Sequence, residues 1–163
     1  MLSYNDLNYN YEGGDLRIDN HLSSLSGCPE HITGDFNVYN DNLTSLIGGP
    51  QRVNGDYQCS YNRLTDLVGC ASYIAGILNC QHNQITSLVG IHKIIKSCNT
   101  IYFNSKLITQ GGIGLLLIAE LDSISTGRMP FRIIKSYLGT GTKGMMACRD
   151  ELIKEGYGNY AKL

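Results

Sequence analysis

The sequence predicts an α/β solenoid: about five short parallel strands stacked coil on coil, with a small helical segment at the C-terminal end. Three observations carry this expectation. A Leu-x-x-Leu-x-Gly signature recurs at one constant spacing, starting at Leu22, Leu43, Leu64 and Ile85 and ending at Gly27, Gly48, Gly69 and Gly90. A short run of alternating apolar and polar residues precedes most of these signatures, as in Phe36/Val38, Tyr57/Cys59 and Leu78/Cys80. The period ends near residue 109, and apolar stripes of helical spacing follow.

Residues 1–13 are read as an N-terminal cap, 14–109 as the solenoid and 110–163 as a helical C-terminal cap. Within a repeat, period-2 alternation makes a short strand with one buried face. In the third repeat Tyr57 and Cys59 point inward, and Asp56, Gln58 and Ser60 point out. Gly and Asn then turn the chain, Leu64 and Leu67 return to the core, and the coil closes through Gly69 to Ile74. Ile32, Val53, Ile74 and Ile95 share one column, and Gly34, Gly55 and Gly76 share another with Ser97. The outer repeats, Leu16/Ile18/Leu22 and Ile101/Phe103/Leu107, are one residue shorter before their Leu. Because each period returns the chain to the same column, neighbouring strands should run parallel in a right-handed coil. One repeat cannot bury its apolar row alone, whereas a stack makes a continuous core. Asn20, Asp41, Asn62 and Asn83 recur two residues before the Leu, where a side chain can bond the backbone of adjacent turns; Ser105 is the equivalent in the fifth repeat.

Beyond the repeats, "GGIGLLLIAELDSI" reads as a short helix entered through glycines, with Leu115, Ile118 and Leu121 on its faces. "PFRIIKSYLG" has Pro at a helix start and Gly139 at its stop, with Phe131, Ile134 and Leu138 on one stripe. "KGMMACRDELIKEG" aligns Met145, Cys148, Leu152 and Ile153 and ends at Gly156. Such helices suit the need to cover the open end of a solenoid.

At 163 residues and 42% hydrophobic content the chain can bury a real core. The formal charge is only −1, which argues against a surface built throughout for nucleic acid or acidic lipid. That total conceals an asymmetry. Residues 1–80 hold nine acidic and three basic residues, while 81–163 hold five acidic and ten basic ones. No apolar run is long enough for a membrane span, and the N-terminus lacks the pattern of a secretory signal. Six Cys without such a signal and without a CxxC pair point to reduced thiols in a cytosol rather than a disulfide or zinc framework.

The segments "VNGDYQCSYNRLTDLVG" and "IAGILNCQHNQITSLVG" resemble leucine-rich repeats of the short bacterial-effector-like kind, with "LSGCP" and "LIGGP" closing the coil. They depart from that consensus by one extra residue before each strand and by Tyr or Cys in place of some Leu. The C-terminal "GGIGLLLIAEL", "IIKSYLG" and "CRDELIKEGYGNYAKL" are similar to the tails of leucine-rich proteins encoded by tailed bacteriophages. This resemblance implies a leucine-rich-repeat solenoid working in the cytoplasm of a bacterial host.

Enzyme chemistry finds little footing. Cys28 near His31 and Cys80 near His82 could pair as nucleophile and base, but Cys59 and Cys80 fall in the buried strand column. The four His occupy different columns without metal-ligand spacing, and "LGTGTKG" lacks the phosphate-loop pattern. Asp15, Asp35 and Asp56 stack on successive strands and read as an acidic patch rather than a catalytic pair. No cofactor or metal is expected. The expected function is therefore non-enzymatic binding of a host protein, inhibiting or redirecting a defence component through the outward strand face. The residues of that face are Asp15, Arg17, Asp35, Asn37, Tyr39, Asp56, Gln58, Asn79, Gln81 and Tyr102, with Asp19, Ser60, Ile77, Thr100 and Asn104 in the same columns. Tyr39 and Tyr102 are its aromatic anchors, and its acidity suits a basic target. The alternative is a sponge for a nucleotide-like small molecule near the basic C-terminal end, at Arg128, Arg132 and Lys143, with Lys93, Lys96 and Lys106 adding positive charge and a Tyr to stack on a base, in a pocket between subunits of a homo-oligomer. A third reading is a structural virion component.

Overall fold

The computed structural model describes residues 2–7, 10–18, 22–40, 42–125 and 127–163. In chain order the strands are β1 (Leu16–Arg17), β2 (His31–Ile32), β3 (Phe36–Asn37), β4 (Arg52–Val53), β5 (Tyr57–Gln58), β6 (Tyr73–Asn79) and β7 (Ser87–Leu88). The one-turn helix α1 (Ile91–Ile94) comes next. It is followed by β8 (Ser97–Tyr102), β9 (Gln110–Gly111), β10 (Ser123–Ile124) and the helices α2 (Met129–Ser136) and α3 (Gly141–Lys154). Short 3-10 turns sit at Tyr4–Leu7, Ile113–Leu117 and Gly158–Ala161.

The strands stack into a β-solenoid of about five turns, and every strand pair is parallel. The main ladder runs Leu16, Phe36, Tyr57, Leu78, Ile101 and Ile124, each opposite the next. Phe36 lies opposite Tyr57 as the repeat predicts. A second ladder joins Ile32, Val53, Ile74 and Cys98, and a third pairs β7 with β9. Side chains of the three ladders and of the Leu signature meet in one core. The main-ladder residues above are all buried, as are Val38, Cys59, Cys80, Leu43, Leu64 and Ile85.

The glycine that closes each signature has a left-handed backbone, with φ of 87° at Gly27, Gly48 and Gly69 and 78° at Gly90. At Gly69 a Cβ would also collide with the backbone of Leu46 and Ile47 in the coil before it. Glycine thus sets both the turn and the close approach of successive coils. Asn62 and Asn83 form the expected ladder. Each Oδ1 accepts a backbone N–H from the preceding coil, of Leu43 and Leu64 at 3.0 and 2.9 Å. Their amide groups donate to Val38 O and Cys59 O, also one coil back, at 2.8 and 3.0 Å. Asn20 and Asp41 lie outside the described residues.

Several expectations need correction. The main ladder does not keep one constant step. The steps from Phe36 to Tyr57 and from Tyr57 to Leu78 match the sequence period, but Leu16 to Phe36 is one residue shorter. Leu78 to Ile101 and Ile101 to Ile124 are each two residues longer. Helix α1 inserts residues between the fourth and fifth coils, so Cys98, not Ile95, faces Ile74, and Ser97 faces Tyr73 rather than Gly76. For the same reason Ile108 is the buried signature residue of the fifth coil, and Leu107 is exposed. Asn104 rather than Ser105 reaches back a coil, accepting the His82 N–H at 3.0 Å. Ser60 and Thr100, expected outside, are buried; Thr100 lies inside β8, whose burial does not follow strict alternation.

The glycine-led segment after residue 109 is not one helix. Ile113–Leu117 makes a single 3-10 turn, and β10 then adds a sixth strand to the main ladder. Its glycines explain the difference: Gly111 and Gly112 both have positive φ and start the segment outside helical geometry. The other two helices form, with two corrections: α2 ends at Ser136, ahead of Gly139, and Ile153 of α3 is exposed while Cys148 and Leu152 are buried. α2 starts with Pro130 in its first turn and packs Phe131 edge-on against Phe103 of the fifth coil, ring centroids 4.8 Å apart. Tyr160 Oη donates to Ile108 O at 2.8 Å, tying the chain's last turn to the same coil.

Candidate functional site

The outward strand face is built in two layers. Nearest the backbone is an aspartate ladder. Asp15 Oδ1 accepts the Asp35 N–H at 2.8 Å, Asp35 Oδ1 that of Asp56 at 2.7 Å, and Asp56 Oδ1 that of Ile77 at 2.8 Å. Each carboxylate oxygen lies where a Cβ on Gly34, Gly55 or Gly76 would go. The Asp and Gly columns therefore interlock, and glycine is required by a neighbour's side chain rather than by its own φ. The three aspartates are first a device joining coils, and their remaining carboxylate oxygens supply the acidity of the face. The ladder ends at Ile77 and Thr100, where no carboxylate follows.

Beside it lies a row of amides. Asn37 and Gln58 are paired in register, as are Gln58 and Asn79, and all three are half-buried. Asn37 and Asn79 each use Oδ1 to accept the N–H two residues on, of Tyr39 and Gln81, at 3.0 and 3.2 Å. Arg17 is exposed on the first coil, and Asp19 lies outside the described residues.

The edge of this face carries three rings in contact. Tyr39 meets Tyr61 edge-on at 5.2 Å between centroids, and Tyr61 stacks on His82 at 4.0 Å with 21° between planes. All three residues are exposed. Tyr61 and His82 have left-handed backbones, φ 58° and 54°, as does Asn40, φ 57°, in the same column. That conformation is uncommon for a side chain as large as Tyr. Sequence reasoning singled out Tyr39 but missed Tyr61 and His82. The available signal was the column itself: Asn40, Tyr61 and His82 keep the spacing of the Leu signature. Tyr102, the other expected anchor, is 38% exposed but makes no ring contact with this row among the described residues.

The structure does not gather the basic residues at one cavity. Arg128 is engaged by the fold, its guanidinium donating to Lys106 O and Ile108 O at 3.1 and 3.2 Å. Arg132 is exposed on α2 and Lys143 on α3. Two cavities among the described residues, about 680 and 400 Å³, have none of the three among their lining residues.

All six thiols are buried and free. Burial pushes Cys28 and Cys80 up to about 12 and Cys98 and Cys148 up to about 11, and it raises Cys59 and Cys70 strongly as well. Among the described residues no three His, Cys, Asp or Glu are placed to hold a metal ion, and no helix is long and apolar enough to cross a membrane. Compared with protein-family models, curated proteins and solved structures, the chain matches none.

Proposed function

We propose that the chain is a non-enzymatic protein-binding module, a leucine-rich-repeat solenoid closed by a C-terminal helical cap, acting through its outward strand face. The observation that carries this reading is the Tyr39–Tyr61–His82 row: three exposed rings held together across successive coils, two of them in an unfavourable backbone conformation. Exposed aromatic groups on a rigid scaffold are the usual anchors of protein interfaces. The neighbouring aspartates favour a basic partner. The likeness of the C-terminal segment to phage-encoded proteins supports a bacterial host protein as that partner, and inhibition of a defence component as the outcome.

The test compares wild type with the Tyr39→Ala/Tyr61→Asn variant, both tagged, for quantitative capture from bacterial lysate. Asn replaces Tyr61 because it tolerates the left-handed backbone. Capture of a defined protein by wild type, lost in the variant at an unchanged melting temperature, supports the reading. Equal capture by both rejects the ring row as the interface.

A further inference from the structure

We infer a second binding site, for a nucleoside phosphate, in the groove formed by the fourth, fifth and sixth coils. This inference does not rest on the protein-binding reading, since the groove lies beyond the end of the ring row. The groove has a volume of about 680 Å³, within the range of small-molecule sites. Its lining is continuous from Gln81 on the fourth coil through Tyr102–Leu107 on the fifth to Ile124, Ser125 and Gly127 on the sixth.

The chemistry of the lining selects the ligand. Among the described lining residues none is acidic, and Lys106, exposed, is the one cation. Two side-chain acceptors of the lining are already engaged by backbone N–H groups. Asn104 Oδ1 already accepts the His82 N–H at 3.0 Å, so the amide offers its Nδ2–H groups. Ser125 Oγ already accepts the Phe103 N–H at 3.0 Å, so that hydroxyl has its O–H to give. Gln81 adds a complete amide. A site with an ammonium, amide and hydroxyl donors and no carboxylate is complementary to an acceptor-rich anion.

The apolar part selects a flat ring. Tyr102 presents 38% of its surface, next to Leu107, itself 41% exposed. An aromatic face beside an aliphatic one, with amides at the rim, suits a nucleobase stacked on the phenol and read at its edge. A Cβ at Gly127 would meet Ser105 Oγ at 2.6 Å, so the fifth and sixth coils pack closely at this wall of the groove. The base lies against Tyr102 with Gln81 and Asn104 at its edge, and the phosphate lies at Lys106.

The experiment is isothermal titration of the intact chain with AMP, GMP, adenosine and inorganic phosphate. One of the two mononucleotides should bind about tenfold or more tightly than adenosine or phosphate alone, since ring and anion are held together. Lys106→Gln and Tyr102→Ala should each weaken that nucleotide about tenfold. Lys154→Gln, a cation outside the groove, should leave it unchanged. Both groove substitutions are at exposed side chains, and a thermal melt of each variant confirms folding. No heat from either nucleotide at about 5 mM, or binding that survives both groove substitutions, overturns the proposal. Equal loss in Lys154→Gln shows unspecific charge attraction and also overturns it. Failure here leaves capture through Tyr39 and Tyr61 untouched, so the two sites stand or fall separately.

Discussion

Asp56 Oδ1 accepts the backbone N–H of Ile77 one coil away, at 2.8 Å, and fills the space that a Cβ on Gly76 would need. The same relation links Asp35 with Asp56 and Gly55, and Asp15 with Asp35 and Gly34. An acidic residue that looks like part of a binding surface is thereby also part of the joint between coils, and substitutions on this face divide into those that touch the joint and those that do not.

Gly55→Ala should destabilise the protein by about 1–3 kcal/mol, because the new methyl group displaces the Asp35 carboxylate. Asp35→Ala alone should cost about 1 kcal/mol through the lost hydrogen bond. The double variant should be less destabilised than the sum of the two, since the shortest clash is then gone and only the Gly34 and Asp35 backbone crowds the methyl. Urea titrations of the four proteins give the coupling; strict additivity would mean that the columns do not interlock.

Asn83→Ala should be among the more damaging single substitutions. It removes the acceptor of the Leu64 N–H and the donor to Cys59 O and Cys80 O in a buried site. Leaving such groups unpaired costs roughly 1–3 kcal/mol each, so a loss of about 3 kcal/mol is expected by chemical denaturation. Gln84→Ala, exposed beside it, should shift stability by less than about 0.5 kcal/mol.

The thiols make a prediction with a sign. Burial raises the folded-state value of Cys80 from 9.0 to about 12, so the folded protein holds the proton more tightly than the unfolded chain. The associated stability is complete below pH 9 and declines as pH rises from there toward about 12. Each such thiol contributes a slope of about 1.4 kcal/mol per pH unit in that window. Urea midpoints should therefore be flat from about pH 7 to 8.5 and fall steeply above. Native protein at pH 8 should react slowly with a thiol reagent at all six positions, Cys59 and Cys80 included; fast labelling of either would place it outside the core. Cys59→Ala or Cys80→Ala should cost about 1–2 kcal/mol.

Tyr61 tests the ring row independently of any partner. Tyr61→Gly removes the left-handed strain and the stacking on His82 together, two effects of about 1 kcal/mol and opposite sign, so stability should hardly change. Tyr61→Ala keeps the strain and loses the stack, and should be the less stable of the two by about 1 kcal/mol. Thermal melts of both proteins decide the order.

The architecture was largely legible in the sequence because one period governs two separate requirements, burial of the Leu signature and left-handed turns at Gly27, Gly48, Gly69 and Gly90. The Asn62 and Asn83 ladder follows from the same column logic. Reading by period failed where the period itself changed. α1 lengthens the step from Leu78 to Ile101, so Ile95 and Leu107 were placed in columns that Cys98 and Ile108 occupy. β10 was hidden because it lies past the end of the regular period, within the apolar segment GGIGLLLIAELDSI that reads as helical. On the outward strand face, Asp56 was legible as outward but not as a backbone acceptor, because that role depends on the missing side chain of Gly76 in the next coil. An Asp56→Lys change is consequently expected to lower stability as well as alter charge, contrary to what alternation alone suggests. Tyr61 and His82 were overlooked because a turn position has no apolar alternation to flag it.

The main ladder joins each coil only to its sequence neighbours, from Leu16 through Phe36, Tyr57, Leu78 and Ile101 to Ile124. Held by its two ends under tension, such a ladder has no strand pair that must break before all others. It should peel like tape from an end, releasing about 7 nm of contour for each coil. The aspartate and asparagine ladders bind the coils from Asp15 to Asn83, and Phe103, Phe131 and Tyr160 lock the far end. Between these two fastenings lies the step from β6 to β8, whose register shifts between Ile74 and Ile77. An optical trap should find its most frequent pause when peeling reaches that seam, with the extension at the pause reporting which end gave way first.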